Sequence, residues 1–240
     1  MSNTMKTANV IGGTGLVGAQ LVDLLLKDRE FEKVVVFGRN SLNITNPKLK
    51  EHLIDFSAPE RWEQLVNGDV LFSCMGTTLA KAGSKQRQYE IDYIYQYRFA
   101  DIASRNGVSE YVLVSSSGAN PKSSFFYMRI KGELEDAIIK LPFKKIIIAR
   151  PSQLYGERKE KRLSETVGLS IMRTLNIIGL YRKHRPIHAQ KVAAAMIESL
   201  KYYENTAIVS SYRLFGLAKF YNRGQELYHK NNDFKELQTD

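Results

Sequence analysis

The segment that most constrains the fold is Gly12-Gly13-Thr14-Gly15-Leu16-Val17-Gly18. It follows the apolar run Ala8–Ile11 directly and opens a stretch, about Leu16 to Lys27, whose apolar residues recur at helical spacing. A strand that turns this tightly into a helix needs glycine's access to positive φ. The turn also brings a helix N-terminus, with its unpaired amides and positive dipole end, beside bare backbone. Inside a βαβ unit, that is a cradle for a dinucleotide pyrophosphate. Gly12, Thr14, Gly15, Leu16, Val17 and Gly18 are its candidate contacts.

Beyond the turn, short β-branched runs alternate with amphipathic stretches. Val34–Phe37 reads as strand two, Leu53–Ile54 as the end of a short third strand, and Ala58–Val66 as a helix with Pro59 in its first turn. Val70–Cys74 reads as strand four. A long helix is expected from about Gln86 to Arg105, with Ile91, Ile94, Tyr95 and Ile102 at core spacing, stopped by Asn106-Gly107. Tyr111–Val114 is strand five, Phe126–Lys140 a helix ending before Pro142, and Lys145–Ala149 strand six. The alternation predicts an α/β fold, a Rossmann-type doubly wound parallel sheet with a small, mostly helical C-terminal portion. No stretch reads as a linker, so one domain over residues 1–240 is expected. Residues from about 156 onward form its helical extension, expected to cap the carboxyl end of the sheet.

The end of strand two bears on cofactor choice. A site for NAD usually carries an acid there to accept from the ribose 2′-hydroxyl. Here the residues are Gly38-Arg39-Asn40-Ser41. The fork and permanent charge of Arg39 suit a 2′-phosphate, so NADP(H) is the expected cofactor. Asp55 and Phe56, just past strand three, are placed for the adenine. Cys74, Met75, Gly76 and Thr77, past strand four, are placed for the nicotinamide half.

Tyr127 and Lys131 are four residues apart in the expected helix 126–140 and share one face of it. An ammonium beside a phenol favours the phenolate, and such a tyrosine can pass a proton to or from a substrate oxygen. Tyr155 and Lys159 have the same spacing, but only the first pair has hydroxyls near it, those of Ser115, Ser116 and Ser117 at the end of strand five.

Taken together, these motifs resemble the short-chain dehydrogenase/reductase superfamily, in its extended or atypical branch. The glycine pattern looks like that branch's fingerprint, and Ser116, Tyr127 and Lys131 match its catalytic serine, tyrosine and lysine. Arg150-Pro151-x-x-x-Tyr155-Gly156 is similar to a motif whose proline region lies along the nicotinamide, which adds Pro151 to the candidate contacts. Arg185-Pro186-Ile187-His188 resembles a stretch that opens a late helix, which makes His188 structural. The chain is also similar to the Tat-interacting oxidoreductase-like group. Cys74-Met75-Gly76-Thr77-Thr78 with Lys81-Ala82-Gly83, and Ser115-Ser116-x-Gly118-Ala119-Asn120 with Tyr127-x-x-x-Lys131-Gly132-Glu133, carry that similarity. The resemblance implies an NADPH-dependent oxidoreductase acting on a small carbonyl or hydroxyl compound. A non-catalytic NADP(H)-binding regulator or scaffold is the alternative, and a sugar-nucleotide epimerase or dehydratase a further one.

Composition bounds the rest. Cys74 is the single cysteine, which rules out an internal disulfide and a multi-cysteine metal site; no metal is expected. The polar start, Met1–Lys6, and the short run Ala8–Ile11 do not read as a targeting signal. With the lone thiol, they give a cytoplasmic expectation. The net charge is +10, and Gly156–Lys191 holds nine Lys or Arg against three Glu. Such a stretch can attract an anionic substrate, a phosphate-bearing cofactor, a lipid surface or nucleic acid, or be a plain solvated face, and it is also a candidate surface for a protein partner. Nucleic acid is not expected, and for residues 206–221 a packed element is favoured over a peripheral membrane contact.

Overall fold

The computed structural model describes residues 5–156 and 185–236, with side chains to residue 226. Its centre is a parallel seven-stranded sheet in the order β3-β2-β1-β4-β5-β6-β9. The strands are β1 (Lys6–Ile11), β2 (Phe31–Gly38), β3 (Leu49–Leu53), β4 (Val70–Ser73), β5 (Glu110–Val114), β6 (Lys145–Arg150) and β9 (Ala207–Ser210). A separate two-residue pair joins β7 (Leu154–Tyr155) to β8 (Ile187–His188). The order runs outward from β1 in both directions, so the chain reverses between β1 and β4, and open α/β sheets bind ligands at that point.

Strand alternation sorts the core into two layers. Ala8, Val10, Val34, Val36, Val70, Phe72, Val112 and Ile147 face one side. There they meet α1 (Leu16–Lys27), α6 (Ala189–Tyr202) and α7 (Ser211–Glu236). Ile11, Val35, Phe37, Leu71, Tyr111, Leu113, Ile146 and Ile148 face the other. There they meet α4 (Tyr95–Arg105) and α5 (Phe126–Ile138). Two short helices, α2 (Leu79–Ala82) and α3 (Lys85–Tyr89), lead into α4 through a π-turn at Glu90–Ile94.

Three expectations change. The third strand ends at Leu53. Residues 58–66 form two 3₁₀ turns, Pro59–Arg61 and Glu63–Leu65, instead of one helix. Trp62 between them is 2% exposed and stacks on Phe99 at 4.9 Å, while its Nε1–H donates to the Asp55 carbonyl at 2.8 Å. Burying this one large ring fixes the backbone more strongly than helical hydrogen bonds over so few residues. Of the C-terminal extension, 157–184 lie outside the described residues; 185–188 sit past the carboxyl end of β6, where β8 pairs with β7, and the rest lies beside the sheet. Residues 207–210 add β9 along β6; α6 packs beside α1, and α7 packs against α6, in the same layer. Of the apolar residues of 206–221, that layer buries Val209, Leu214, Leu217, Ala218 and Tyr221, while Ile208, Tyr212 and Phe220 are exposed. His188 opens α6, its Nδ1 accepting from the Gln190 N–H at 3.2 Å, a structural role as expected.

Candidate active site

The glycine turn sits where the strand order reverses. Gly12 has φ +78°, and a Cβ there would stand 2.5 Å from the Cys74 carbonyl carbon. A Cβ on Gly18 would stand 2.1 Å from the Gly12 carbonyl oxygen. These two glycines let α1 and the end of β4 close on the turn, which is tied by a Gly15 N–H to Gly12 carbonyl bond of 2.9 Å. α1 opens at Leu16 with no side chain capping it. The first-turn amides of Leu16, Val17 and Gly18 are therefore left without a capping side chain, as donors available to a ligand. Val17 is 4% exposed and packs in the core, so only its main chain is offered to a ligand. Thr14 is exposed on the turn and Leu16 half-buried beneath it. This cradle fits a dinucleotide pyrophosphate.

Arg39 stands exposed past β2, with no partner among the described residues. The segment after it is fastened by Glu51, whose carboxylate accepts from Ser41 Oγ at 2.8 Å and the Leu42 N–H at 2.6 Å. Asp55 is exposed; its Oδ1 accepts from the Ser57 N–H and hydroxyl, and these bonds hold its pKa below the usual value. Phe56 is turned away from that surface. Its ring is 4% exposed and stacks on Tyr95 at 5.8 Å, which leaves its backbone for a ligand. Cys74 is half-buried, and desolvation pushes its thiol well above the usual range, so it is no nucleophile. Met75 and Thr77 are half-buried and Gly76 is exposed.

Tyr127, Lys131 and Glu135 follow one another at one-turn spacing along the sheet-facing side of α5, grading from open to closed. Tyr127 is 39% exposed, Lys131 3% and Glu135 2%. The Lys131 ammonium lies 5.8 Å from the centre of the Tyr127 ring. α5 comes this close to the loop after β5 because residue 132 is glycine: a Cβ there would stand 2.2 Å from the Pro121 nitrogen. The serines separate by their partners. Ser115 is buried and donates to Glu135 in a short hydrogen bond. Glu135 also receives two bonds from Arg150 Nε, at 3.0 and 3.1 Å, and one from its Nη2. Ser116 is half-buried, and among the described residues its hydroxyl makes only a 3.4 Å contact to the Ser117 carbonyl, so it has capacity left there. Ser117 borders a cavity of about 210 Å³ with Gly118, Arg150, Ile208, Ser210 and Ser211. Pro151 is buried, and its carbonyl accepts from the Ser117 N–H at 2.8 Å.

Two residues on these walls carry no sequence motif. Glu135 could have been noticed as the next acid one turn beyond Lys131; its bonds to Ser115 and Arg150 could not. Asp92 lies in the π-turn, fully buried. Of the basic stretch, Arg158, Lys159, Lys161, Arg162, Arg173, Arg182 and Lys183 lie outside the described residues, so the Tyr155–Lys159 pair does too. Tyr155 itself sits on β7, edge-on to His188 at 5.2 Å. Among the described residues no cluster of three His, Cys, Asp or Glu side chains could hold a metal ion, and no helix is long and apolar enough to cross a membrane.

A glycine turn at a sheet reversal, an uncapped helix and a tyrosine above a buried lysine lie together on a Rossmann-type fold, an arrangement that fits a dinucleotide. The model of the NAD dependent epimerase/dehydratase family matches residues 8–213, and the chain belongs to that family. It is similar to the mitochondrial protein FMP52 of Candida albicans, 41% identical over 171 residues, 69% of this chain and 73% of the relative. It is similar also to mitochondrial FMP52-1 of Scheffersomyces stipitis, 36% identical over 199 residues, 80% of this chain and 87% of the relative. Among solved structures, UDP-glucose 4-epimerase from Thermotoga maritima superposes with a TM-score of 0.64 at 17% identity, covering 89% of this chain and 81% of its own. UDP-glucuronic acid 4-epimerase from Bacillus cereus, in complex with NAD, does so with 0.61 at 14%, covering 85% and 76%. At such identities the structures speak for the fold alone. The relatives' names overturn the cytoplasmic expectation, since both are called mitochondrial. A lone cysteine cannot form an internal disulfide in any compartment, so it does not distinguish one compartment from another.

Proposed function

We propose that this protein is an NADP(H)-dependent oxidoreductase of the atypical short-chain dehydrogenase type, acting on a small carbonyl or hydroxyl compound. The observation that carries it is the order along α5: an accessible Tyr127 phenol above the buried Lys131 ammonium, 5.8 Å from ring centre to nitrogen. The bound dinucleotide would supply the hydride donor or acceptor. The chain's part is to bind and to move a proton. The amides of Leu16 to Gly18 and the bare turn at Gly12 and Thr14 hold the pyrophosphate, and Arg39 pairs with a 2′-phosphate. Asp55 and the Phe56 backbone border the adenine; Cys74 to Thr77 and Pro151 border the nicotinamide half. Tyr127 gives a proton to a carbonyl oxygen, or takes one from a hydroxyl. Lys131, beside the Tyr127 ring, holds the nicotinamide ribose, and Ser116, whose hydroxyl keeps bonding capacity, orients the substrate oxygen.

The motifs shared with the Tat-interacting oxidoreductase-like group support this at the level of the active-site loops. We take the chain as one domain, with residues 156–240 as its extension and the basic part of that extension as a surface for a protein partner. The relatives' names support a mitochondrial setting. The family match favours a second activity, sugar-nucleotide epimerisation, which would use NAD.

The test is fluorescence titration with NADPH and with NADH, followed by a carbonyl screen. Tighter NADPH binding that is lost in Arg39→Ser, with turnover abolished in Tyr127→Phe, is expected. Equal affinity for both nucleotides refutes the role of Arg39. Turnover unchanged in Tyr127→Phe refutes the mechanism, and preference for NADH with sugar-nucleotide turnover establishes the epimerase instead.

A further inference from the structure

Asp92 is a carboxylate in a costly place. It is fully buried, and its Oδ1 accepts from the Thr77 N–H at 2.7 Å. Its Oδ2 has no hydrogen-bond partner among the described residues. A buried carboxylate oxygen left like this is strongly destabilising unless an opposite charge faces it.

The opposite charge that acts on it is Lys131, which stands nearby without a direct ion pair. A Cβ placed on Gly76 would stand 3.6 Å from Asp92 Oδ1 and 3.6 Å from Lys131 Nζ, so both groups stand behind the same glycine. Burial raises the pKa of Asp92, and Lys131 is the first of the groups that pull it back, with the Thr77 amide and Gln88 after it. Thr77 and Gln88 are neutral. Among the described residues, Tyr127 lies 5.8 Å from the ammonium and Glu135 stands one turn further along α5. Glu135 is already engaged by Arg150 and Ser115. Asp92 reaches this place from a π-turn, a widened helical turn that recurs at functional sites.

On the footing of the dinucleotide function above, we propose that Asp92 is a positioning residue. Its carboxylate is the counter-charge that keeps the Lys131 ammonium charged and in place against the wall where the nicotinamide ribose binds. Gly76 completes the arrangement by leaving that wall bare.

The experiment is fluorescence titration of NADPH into wild type and Asp92→Asn from pH 6 to pH 9, reading the ratio of the two dissociation constants. A buried ammonium without its counter-charge gives up its proton more readily. The ratio is therefore expected to lie within about twofold at pH 6 and to rise at least tenfold by pH 9. In Asp92→Asn/Lys131→Arg, measured against Lys131→Arg alone, the ratio should stay flat, because a guanidinium keeps its proton over that range. A merely structural Asp92 would weaken binding by the same factor at every pH, and that result overturns the proposal. So does a rise that persists in the arginine background. If near-UV circular dichroism shows Asp92→Asn unfolded, Asp92→Ser is read in its place, with the same two outcomes. Wild type that binds no dinucleotide overturns the function itself and this inference with it; wild-type binding with a flat ratio overturns the inference alone.

Discussion

Replacing Gly18 by alanine separates two effects that usually travel together. In a helix interior, alanine is better than glycine by about 1 kcal/mol. At Gly18 the new methyl would stand 2.1 Å from the Gly12 carbonyl oxygen and 2.8 Å from its carbon, both rigid backbone. Restoring even 3.0 Å requires the turn and α1 to part by about 0.9 Å. Overpacking of this kind costs about 1–3 kcal/mol. The control is Gly216→Ala in α7, where nothing lies within 4 Å of the added methyl and the propensity gain stands alone. The two variants should differ by about 1–3 kcal/mol, which at about 2–4 °C per kcal/mol is a gap in Tm of roughly 2–12 °C. The same displacement moves the Leu16 to Gly18 amides relative to the turn. Losing one charge-assisted bond of about 1.5–3 kcal/mol weakens dinucleotide binding at least tenfold. Differential scanning fluorimetry and a fluorescence titration read the two effects. Equal melting temperatures for both variants, with unchanged nucleotide affinity in Gly18→Ala, would refute the close-packed cradle.

Two further predictions concern the ion pairs that hold the sheet. Glu135→Ala strands the Arg150 guanidinium and frees the Ser115 hydroxyl; breaking such a buried pair costs about 3–5 kcal/mol, and the partial exposure of Arg150 puts the value at the lower end. Urea denaturation checks this, and a loss under about 1 kcal/mol would contradict it. Glu110, at the start of β5, is subject to burial that raises its pKa, but hydrogen bonds from Lys6 and Lys145 outweigh that and hold it below its ordinary 4.5. A lowered carboxylate stabilises the fold above about pH 4.5, and that contribution fades as acid titrates it in the native state. Glu110→Gln should therefore lower Tm at pH 7 and converge on wild type in acid; a gap independent of pH would contradict the pairing.

Much of this architecture was legible because its causes are local. The glycine turn, the six leading strands and the α5 pair with its nearby serines each lie within a few residues of their signals, and the period of two or 3.6 reports burial directly. Residues 58–66 misled because a proline and an apolar pattern look helical, whereas Trp62 answers to Phe99 across the fold. β9 escaped notice for a related reason. Four residues at a sheet edge carry little pattern of their own, and their pairing with β6 is decided by where α6 returns the chain.

What the sequence determined, then, is the βαβ scaffold and the residues with which it can meet a dinucleotide, since propensity and periodicity act over one or two turns. Tertiary structure alone decided which serine is tied down, by bringing Ser115 and Arg150 to one carboxylate on α5. It also turned Phe56 into the core and placed Asp92 and Lys131 behind Gly76. Such meetings depend on how whole elements pack, and charges that pair only after packing leave no periodic trace in the chain.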